Sequence, residues 1–325
     1  MRDRRLFFLA AAILLFFILV SLLGAQTESR LSFLVISSGD SLHEIASRLK
    51  DQGLIRSRLM FEIYANLSGA DSKIKSGGYF LDAASTTPEV ARVLRSGPET
   101  REILIVEGAT LGEIDAELAE VGIIAPDSLR LLSPSDLAGE FPFLRQAVSL
   151  EGFLFPDTYR FLMGTPPREV ARIFLSNFVR RTKGLVSTSS PKFYSTIIKA
   201  SLLEKEAIRF KDRALIAGII DARIAARIPL QIDATVAYIR CAGVFASCPA
   251  LRRSDYTTKS PFNTYTVLGL PPGPIANPGL EAIRAALNPA RSGFFYYLSD
   301  PKTAKIFFSE TFDEHNQKRA LYLGL

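Results

Sequence analysis

Two carboxylates, Glu204 and Glu206, are the first candidates for acid–base chemistry in this chain. They stand in Tyr194–Phe210, a run without Gly or Pro whose apolar residues recur at three- to four-residue spacing, which predicts a helix. At about 100° per residue the two side chains leave that helix on nearly opposite sides. Glu204 shares its side with Ile197, Ala200, Ser201, Ala207 and Ile208, and Glu206 shares its side with Lys199, Leu202, Leu203 and Arg209. Apolar surroundings disfavour the anion and raise a carboxyl pKa, as a general acid at neutral pH requires. Glu204 meets that condition, whereas Glu206 has basic neighbours to pair with. The residues leave two alternatives open: that Glu204 is a partly buried carboxylate paired by a distant Arg, or that its helix face is simply solvated.

The chain that must position these groups has 325 residues, enough for more than one domain. Its apolar fraction of 48% is concentrated at the start, where Leu6–Ala25 runs twenty residues without a charge behind the basic Met1–Arg5. Such a run spans roughly 30 Å as a helix, the thickness of a bilayer core, and the Arg cluster stays on the cytoplasmic side. We therefore expect a single-pass anchor in the inner membrane, with the remainder in the periplasm. The apolar run is longer than the core of a cleavable signal peptide, the alternative reading. Net charge is +6, spread along the chain; it suits an anionic envelope, and no nucleic-acid partner is expected. The only cysteines, Cys241 and Cys248, fall on the outer side, where a disulfide is the expectation and two free thiols the alternative. The two histidines, His43 and His315, lie far from each other and from the cysteines, so no metal site is expected.

In chain order, Phe33–Leu49 reads as a strand, a turn at Gly39-Asp40, and a helix capped by Asp40 or Ser41 with Glu44 in its first turn. The pattern recurs at a constant offset of 69: Gly39, Leu42, Ile45, Leu49, Gly53 and Ile55 map onto Gly108, Leu111, Ile114, Leu118, Gly122 and Ile124, and Glu44 maps onto Glu113. Pro126–Val148 reads as helical with breaks. Leu150–Phe161 sets aromatics around a Pro-Asp turn, either a semi-exposed platform for sugars or part of a core. Helices are expected at Arg168–Arg181 and Lys211–Arg227, and Asp233 is placed to cap another. Leu270–Gly279 holds four prolines; a loop so stiff either walls a groove at little entropic cost or is a structural connection. A hairpin across Asp300–Ala304 and a last helix carrying His315 complete the chain. No βαβ run is long enough for a parallel sheet, so the fold class is α+β.

Two resemblances add to this reading. Phe33–Leu49 looks like the opening of a LysM module, a small βααβ fold that binds N-acetyl sugars. The second half resembles the endolytic murein transglycosylase (YceG-like) family, on Glu151–Tyr159, Ala200–Glu206, Leu230–Tyr238, Asn263–Ile275 with Asn277–Gly279, and the terminal Phe308, Thr311 and Glu314–Asn316. The expected organisation is a cytoplasmic tail at 1–5, a transmembrane anchor at 6–25, a tether at 26–30, a LysM-like α/β subdomain at 31–98 and a mixed α+β catalytic domain at 99–325, in which 99–148 holds the second strand–turn–helix unit. The resemblance implies a lyase that cuts the N-acetylmuramic acid–N-acetylglucosamine bond of glycan strands and leaves 1,6-anhydro ends, without a cofactor. It implies Glu204 as the catalytic acid, Gln231, Asp233, Tyr238, Asn263 and Tyr265 along the groove, and peptidoglycan strands and their synthases as partners. Asp157 and Glu206 are left as structural candidates. The cysteines are outside the family pattern. Two other readings compete: a glycoside hydrolase pairing Glu204 with a second acid such as Asp233, and a non-catalytic envelope protein that binds glycan through its LysM-like part.

Overall fold

The structure, a computed structural model, describes residues 29–300, 303 and 305–324. Among the described residues, six strands pair into three two-stranded sheets: β1 (Leu31–Ile36) with β2 (Gly77–Asp82), β3 (Thr100–Leu104) with β4 (Thr158–Leu162), and β5 (Tyr296–Ser299) with β6 (Ile306–Ser309). Helices fill the intervals, and the α+β class stands. On one point the fold reading is corrected. The expected membrane helix Leu6–Ala25 lies outside the described residues, and no helix among the described residues is long and apolar enough to cross a membrane. The longest of them have 16 residues, about 24 Å against a bilayer core of about 30 Å. The anchored form of the function and the single-pass inner-membrane, periplasm-facing placement are therefore not retained.

The chain divides into two compact units. Among the described residues, one comprises those of 29–102, 121–125 and 160–165; the other comprises those of 103–120, 126–159 and 166–324. In the first, β1 and β2 run antiparallel from Leu31 opposite Asp82 to Ile36 opposite Gly77. Between them lie α1 (Leu42–Asp51) and α2 (Arg58–Leu67), and α3 (Thr87–Ser96) follows. Each helix start is written locally. Ser41 and Glu44 exchange side-chain and backbone hydrogen bonds, Thr86 and Glu89 do the same, and Ser57 caps α2. The apolar faces enclose Leu34, Leu49, Phe61, Leu81 and Leu94, each at most 2% exposed. Gly39 turns from β1 into α1 at φ 94°, which glycine adopts without strain.

In the second unit α4 (Leu111–Glu120) opens with the bonds seen at α1. The Thr110 amide donates to Glu113 Oε2 at 3.0 Å, and the Glu113 amide donates to Thr110 Oγ1 at 3.1 Å. The stretch after it is irregular: only the one-turn α5 (Pro134–Leu137) and a 3-10 turn at Pro142–Gln146 form. The aromatics after Leu150 build a core and no exposed platform. Phe153 and Phe155 are buried, and Phe153 packs with Phe143, Phe178 and Phe193. Long helices α6 (Pro167–Thr182), α7 (Phe193–Glu206) and α8 (Phe210–Ala225) follow, then α9 (Asp233–Arg240) and α10 (Leu280–Leu287), which packs on both α7 and α8. The proline-rich approach to α10 is buried from Gly273 to Gly279, a structural connection threaded through the core. The β5–β6 hairpin and α11 (Phe312–Leu323), capped by Thr311, close the unit.

Candidate functional site

The helix that carries both acids stops earlier than its sequence suggests. Ala207 is extended at φ −151°, so Glu206 is the last residue of α7, and Arg209 belongs to the turn into α8. The basic neighbours expected for Glu206 are engaged elsewhere. Lys199 pairs with Asp221, and Arg209 pairs with Asp212 at 2.8 Å. Glu206 instead accepts a hydrogen bond from the Tyr297 hydroxyl of β5 at 2.8 Å. It faces a cavity of about 860 Å³, shared with Gln231, Asp233 and Tyr265. Burial pushes its carboxyl up to about 7, against the Tyr297 hydrogen bond and with help from the charge of Asp233.

The other side of the cavity wall is organised around Asp233, the first residue of α9. The Tyr265 hydroxyl donates to its Oδ1, and the Tyr256 hydroxyl donates to its Oδ2 at 3.4 Å. Gln231 holds φ 54°, a left-handed conformation costly for a side-chain-bearing residue, and its amide donates to the Thr264 carbonyl at 3.0 Å. Its side chain is thereby delivered to the cavity from a turn that no helix or strand would produce.

Glu204 occupies a different environment. Its side chain is 5% exposed and ion-paired through Oε1 with Arg213 of α8, itself 5% exposed. Oε2 accepts the Gly279 amide at 2.9 Å. Burial raises its carboxyl, while the Gly279 hydrogen bond and the Arg213 charge pull it back down. Space around it is closed: a Cβ on Gly108 would lie 3.4 Å from Glu204 Cγ, and one on Gly279 would strike Glu107 Oε1 at 1.8 Å. Glu204 does not line the cavity. Of the two alternatives left open by the sequence, the observed arrangement is a buried carboxylate paired by an Arg, which comes from the next helix.

Two other expected groove residues also lie in the packed interior. The Tyr238 hydroxyl donates to Glu151 Oε2 at 3.3 Å, and its ring packs on Phe262. Glu151 is fully enclosed and pushed up to about 8 by burial; its two oxygens accept the Leu111 amide at 2.9 and 3.0 Å, and Oε1 also takes Asn277 Nδ2 at 2.9 Å. Asn263 is buried as well. Its Nδ2 donates to the carbonyls of Tyr256 and Thr258, and its Oδ1 accepts the Tyr265 amide at 3.0 Å. It therefore positions the two tyrosines that hold Asp233 without reaching the cavity itself. Asp157 is tied to Arg181 and to Asn177. Cavity residues absent from the sequence reading include Tyr256, Tyr297, Arg223, Arg253 and Arg319. The terminal motif around His315 was the one signal pointing to that wall.

Cys241 and Cys248 form a disulfide, with Cα atoms 5.6 Å apart. Glu113 grips the loop they close, its Oε1 accepting the Phe245 and Ala246 amides at 2.7 and 3.0 Å, and Lys205 Nζ lies 3.9 Å from the centre of the Phe245 ring. In the first unit, a smaller cavity of about 260 Å³ lies between the Ser37–Asp40 turn and the Asp71–Ser76 segment.

The comparisons with known proteins agree on one lineage. The model of the YceG-like family matches residues 34–320. The endolytic murein transglycosylase of Bacillus subtilis (strain 168) is 30% identical over 311 residues, 89% of this chain and 84% of that protein. The endolytic murein transglycosylase of Streptococcus pneumoniae serotype 2 is 27% identical over 95% of this chain, which spans 61% of that longer protein. A crystal structure of a YceG-like protein from Listeria monocytogenes superposes with a TM-score of 0.59 at 26% identity, covering 90% of this chain and all of that one. With the family model spanning nearly every described residue and the sequence and structure matches extending over both units, the chain belongs to the YceG-like family.

Proposed function

We propose that the protein is an endolytic lytic transglycosylase of peptidoglycan glycan strands, with Glu206 as its acid–base residue. One observation carries the assignment to Glu206. It is the carboxyl that combines a pKa raised to about 7 with a place in the large cavity, beside Gln231, Asp233 and Tyr265. The substrate class comes from the named relatives, both endolytic murein transglycosylases.

The chemistry fits a single carboxyl. The Glu206 acid donates its proton to the oxygen bridging muramic acid C1 and glucosamine, and that bond breaks. The resulting carboxylate then accepts the proton of the muramoyl 6-hydroxyl as its oxygen bonds to C1, closing the 1,6-anhydro ring. Glu206 ends protonated, as it began. A group with a pKa near 7 gives and takes a proton at neutral pH with comparable ease. The Tyr297 hydroxyl supports the anionic stage by donating to it. Asp233, held by two tyrosine hydroxyls, offers polar contacts along the strand. Glu204 serves to position, tying α7 to α8 through Arg213.

Mass analysis of the ends released from purified strands tests the reaction type. Anhydro-muramoyl ends are expected. Reducing ends would replace this reading with a hydrolase in which Asp233, in the same cavity, activates water.

A further inference from the structure

The cavity has a second chemical character that acid–base catalysis does not use. Besides Glu206 and Asp233 it is lined by Arg223, Arg253, Arg319 and His315. Arg223 is spoken for: its guanidinium donates to the carbonyls of Phe295, Pro229 and Leu230 at 2.8–3.1 Å. Arg253 and Arg319 form no ion pair or hydrogen bond among the described residues. His315 stacks on Tyr296 with ring centres 5.4 Å apart. Burial and the charges of Arg319, Arg223 and Lys318 lower its pKa, so it adds no charge at neutral pH. The cavity lining therefore includes two guanidinium groups whose donors are uncommitted. A guanidinium in a cleft presents a planar fork that matches a carboxylate, and partial desolvation strengthens the pair.

We propose that Arg319, together with Arg253, is a specificity-determining group that binds a carboxylate borne on the muramoyl substituent of the strand. This rests on the glycan-strand reading above. The sugar backbone itself carries no charge, so the anion must come from its substituent: a carboxylate of a peptide stem, or the lactyl carboxylate of a stripped strand. Through this contact the enzyme registers a muramoyl unit against the Glu206 acid and favours strands carrying the anion.

The test compares kcat/KM for wild type, Arg319→Gln, Arg253→Gln and Arg319→Lys on three purified substrates at fixed pH and salt. These are native stem-bearing strands, the same strands with carboxylates converted to neutral amides, and strands stripped of peptide by an amidase. Wild type is expected to lose about 10–100-fold on the amide-capped strands, the loss typical of a removed charged hydrogen bond. Arg319→Gln is expected to lose a similar factor on native strands and nothing more on capped ones. Arg319→Lys keeps the charge without the fork and recovers part of it. Persistence of the Arg319 effect on stripped strands shows that the freed lactyl carboxylate replaces that of the stem; its disappearance there restricts the contact to the stem. The proposal is overturned if capping leaves wild type unchanged, or if Arg319→Gln loses the same factor on native and capped strands. Anhydro ends from wild type on native strands keep the catalytic reading intact in that event, whereas their absence overturns that reading separately.

Discussion

Two carboxylates separated by a single lysine end in opposite situations, and the contrast lies in what surrounds the end of α7. On one side, Glu204 is sealed between Arg213, the Gly279 amide and the close approach of Gly108. On the other, Glu206 meets one hydroxyl and an open cavity of about 860 Å³. Burial raises both carboxyls. A raised pKa thus does not by itself identify an acid that works on substrate. Access decides, together with the absence of a fixed counter-charge. Glu204 gains a cation that holds it in the packed interior. Glu206 has no such cation among the described residues and lines the cavity.

The largest effect should come from removing the cavity proton. Glu206→Gln keeps the shape and loses the acid, so release of anhydro ends should fall by about 10²–10⁴ or more, with the melting temperature little changed. Glu204→Gln should retain turnover in proportion to the folded fraction. The reverse result, an active Glu206→Gln and a folded but inactive Glu204→Gln, would exchange the roles of the two sides.

Next in size is the sealed side. Arg213→Met leaves Glu204 buried without its partner and should cost about 3–5 kcal/mol at neutral pH in denaturant titrations. The loss should shrink as pH falls, because protonated Glu204 no longer needs the cation. A neutral cost near zero would mean that Glu204 is already uncharged in the folded protein.

Reducing the Cys241–Cys248 disulfide relaxes the loop that Glu113 and Lys205 hold against this helix end. Closing so short a loop contributes about 2–3 kcal/mol through the unfolded chain. Reduced protein should therefore melt lower, with the Glu206 pH dependence in place. A changed pH profile would show that the loop also shapes the cavity.

The smallest effect sharpens the open side. As an acid with a pKa of about 7, Glu206 is protonated below that value, so kcat should fall as pH rises through it. Tyr297 donates to the anionic form, so Tyr297→Phe should raise the Glu206 pKa and move the falling limb to higher pH. A shift to lower pH would mean that Tyr297 stabilises the protonated acid.

What the sequence by itself determined was local. Ser41 with Glu44, Thr86 with Glu89 and Thr110 with Glu113 are each three residues apart, close enough for the chain to close the same bonds wherever it folds. Helical periodicity placed α6 to α8, and the apolar run ahead of the Gly39-Asp40 turn placed β1, whose inward residues Leu34 and Ile36 are buried. The same periodicity overran the end of α7, because the extended Ala207 depends on its carbonyl accepting Arg213 Nε at 2.7 Å. With that break, Arg209 left the face on which it was counted as a partner of Glu206. The aromatics after Leu150 carried no mark of inside or outside until Phe143, Phe178 and Phe193 packed on them. Which acid faces the cavity was likewise a tertiary decision. Arg213 reaches Glu204 from the next helix, and Tyr297 reaches Glu206 from 91 residues away. Helical periodicity reports only which residues share a face. The charge and solvent that a face meets are set by elements folded against it from elsewhere in the chain.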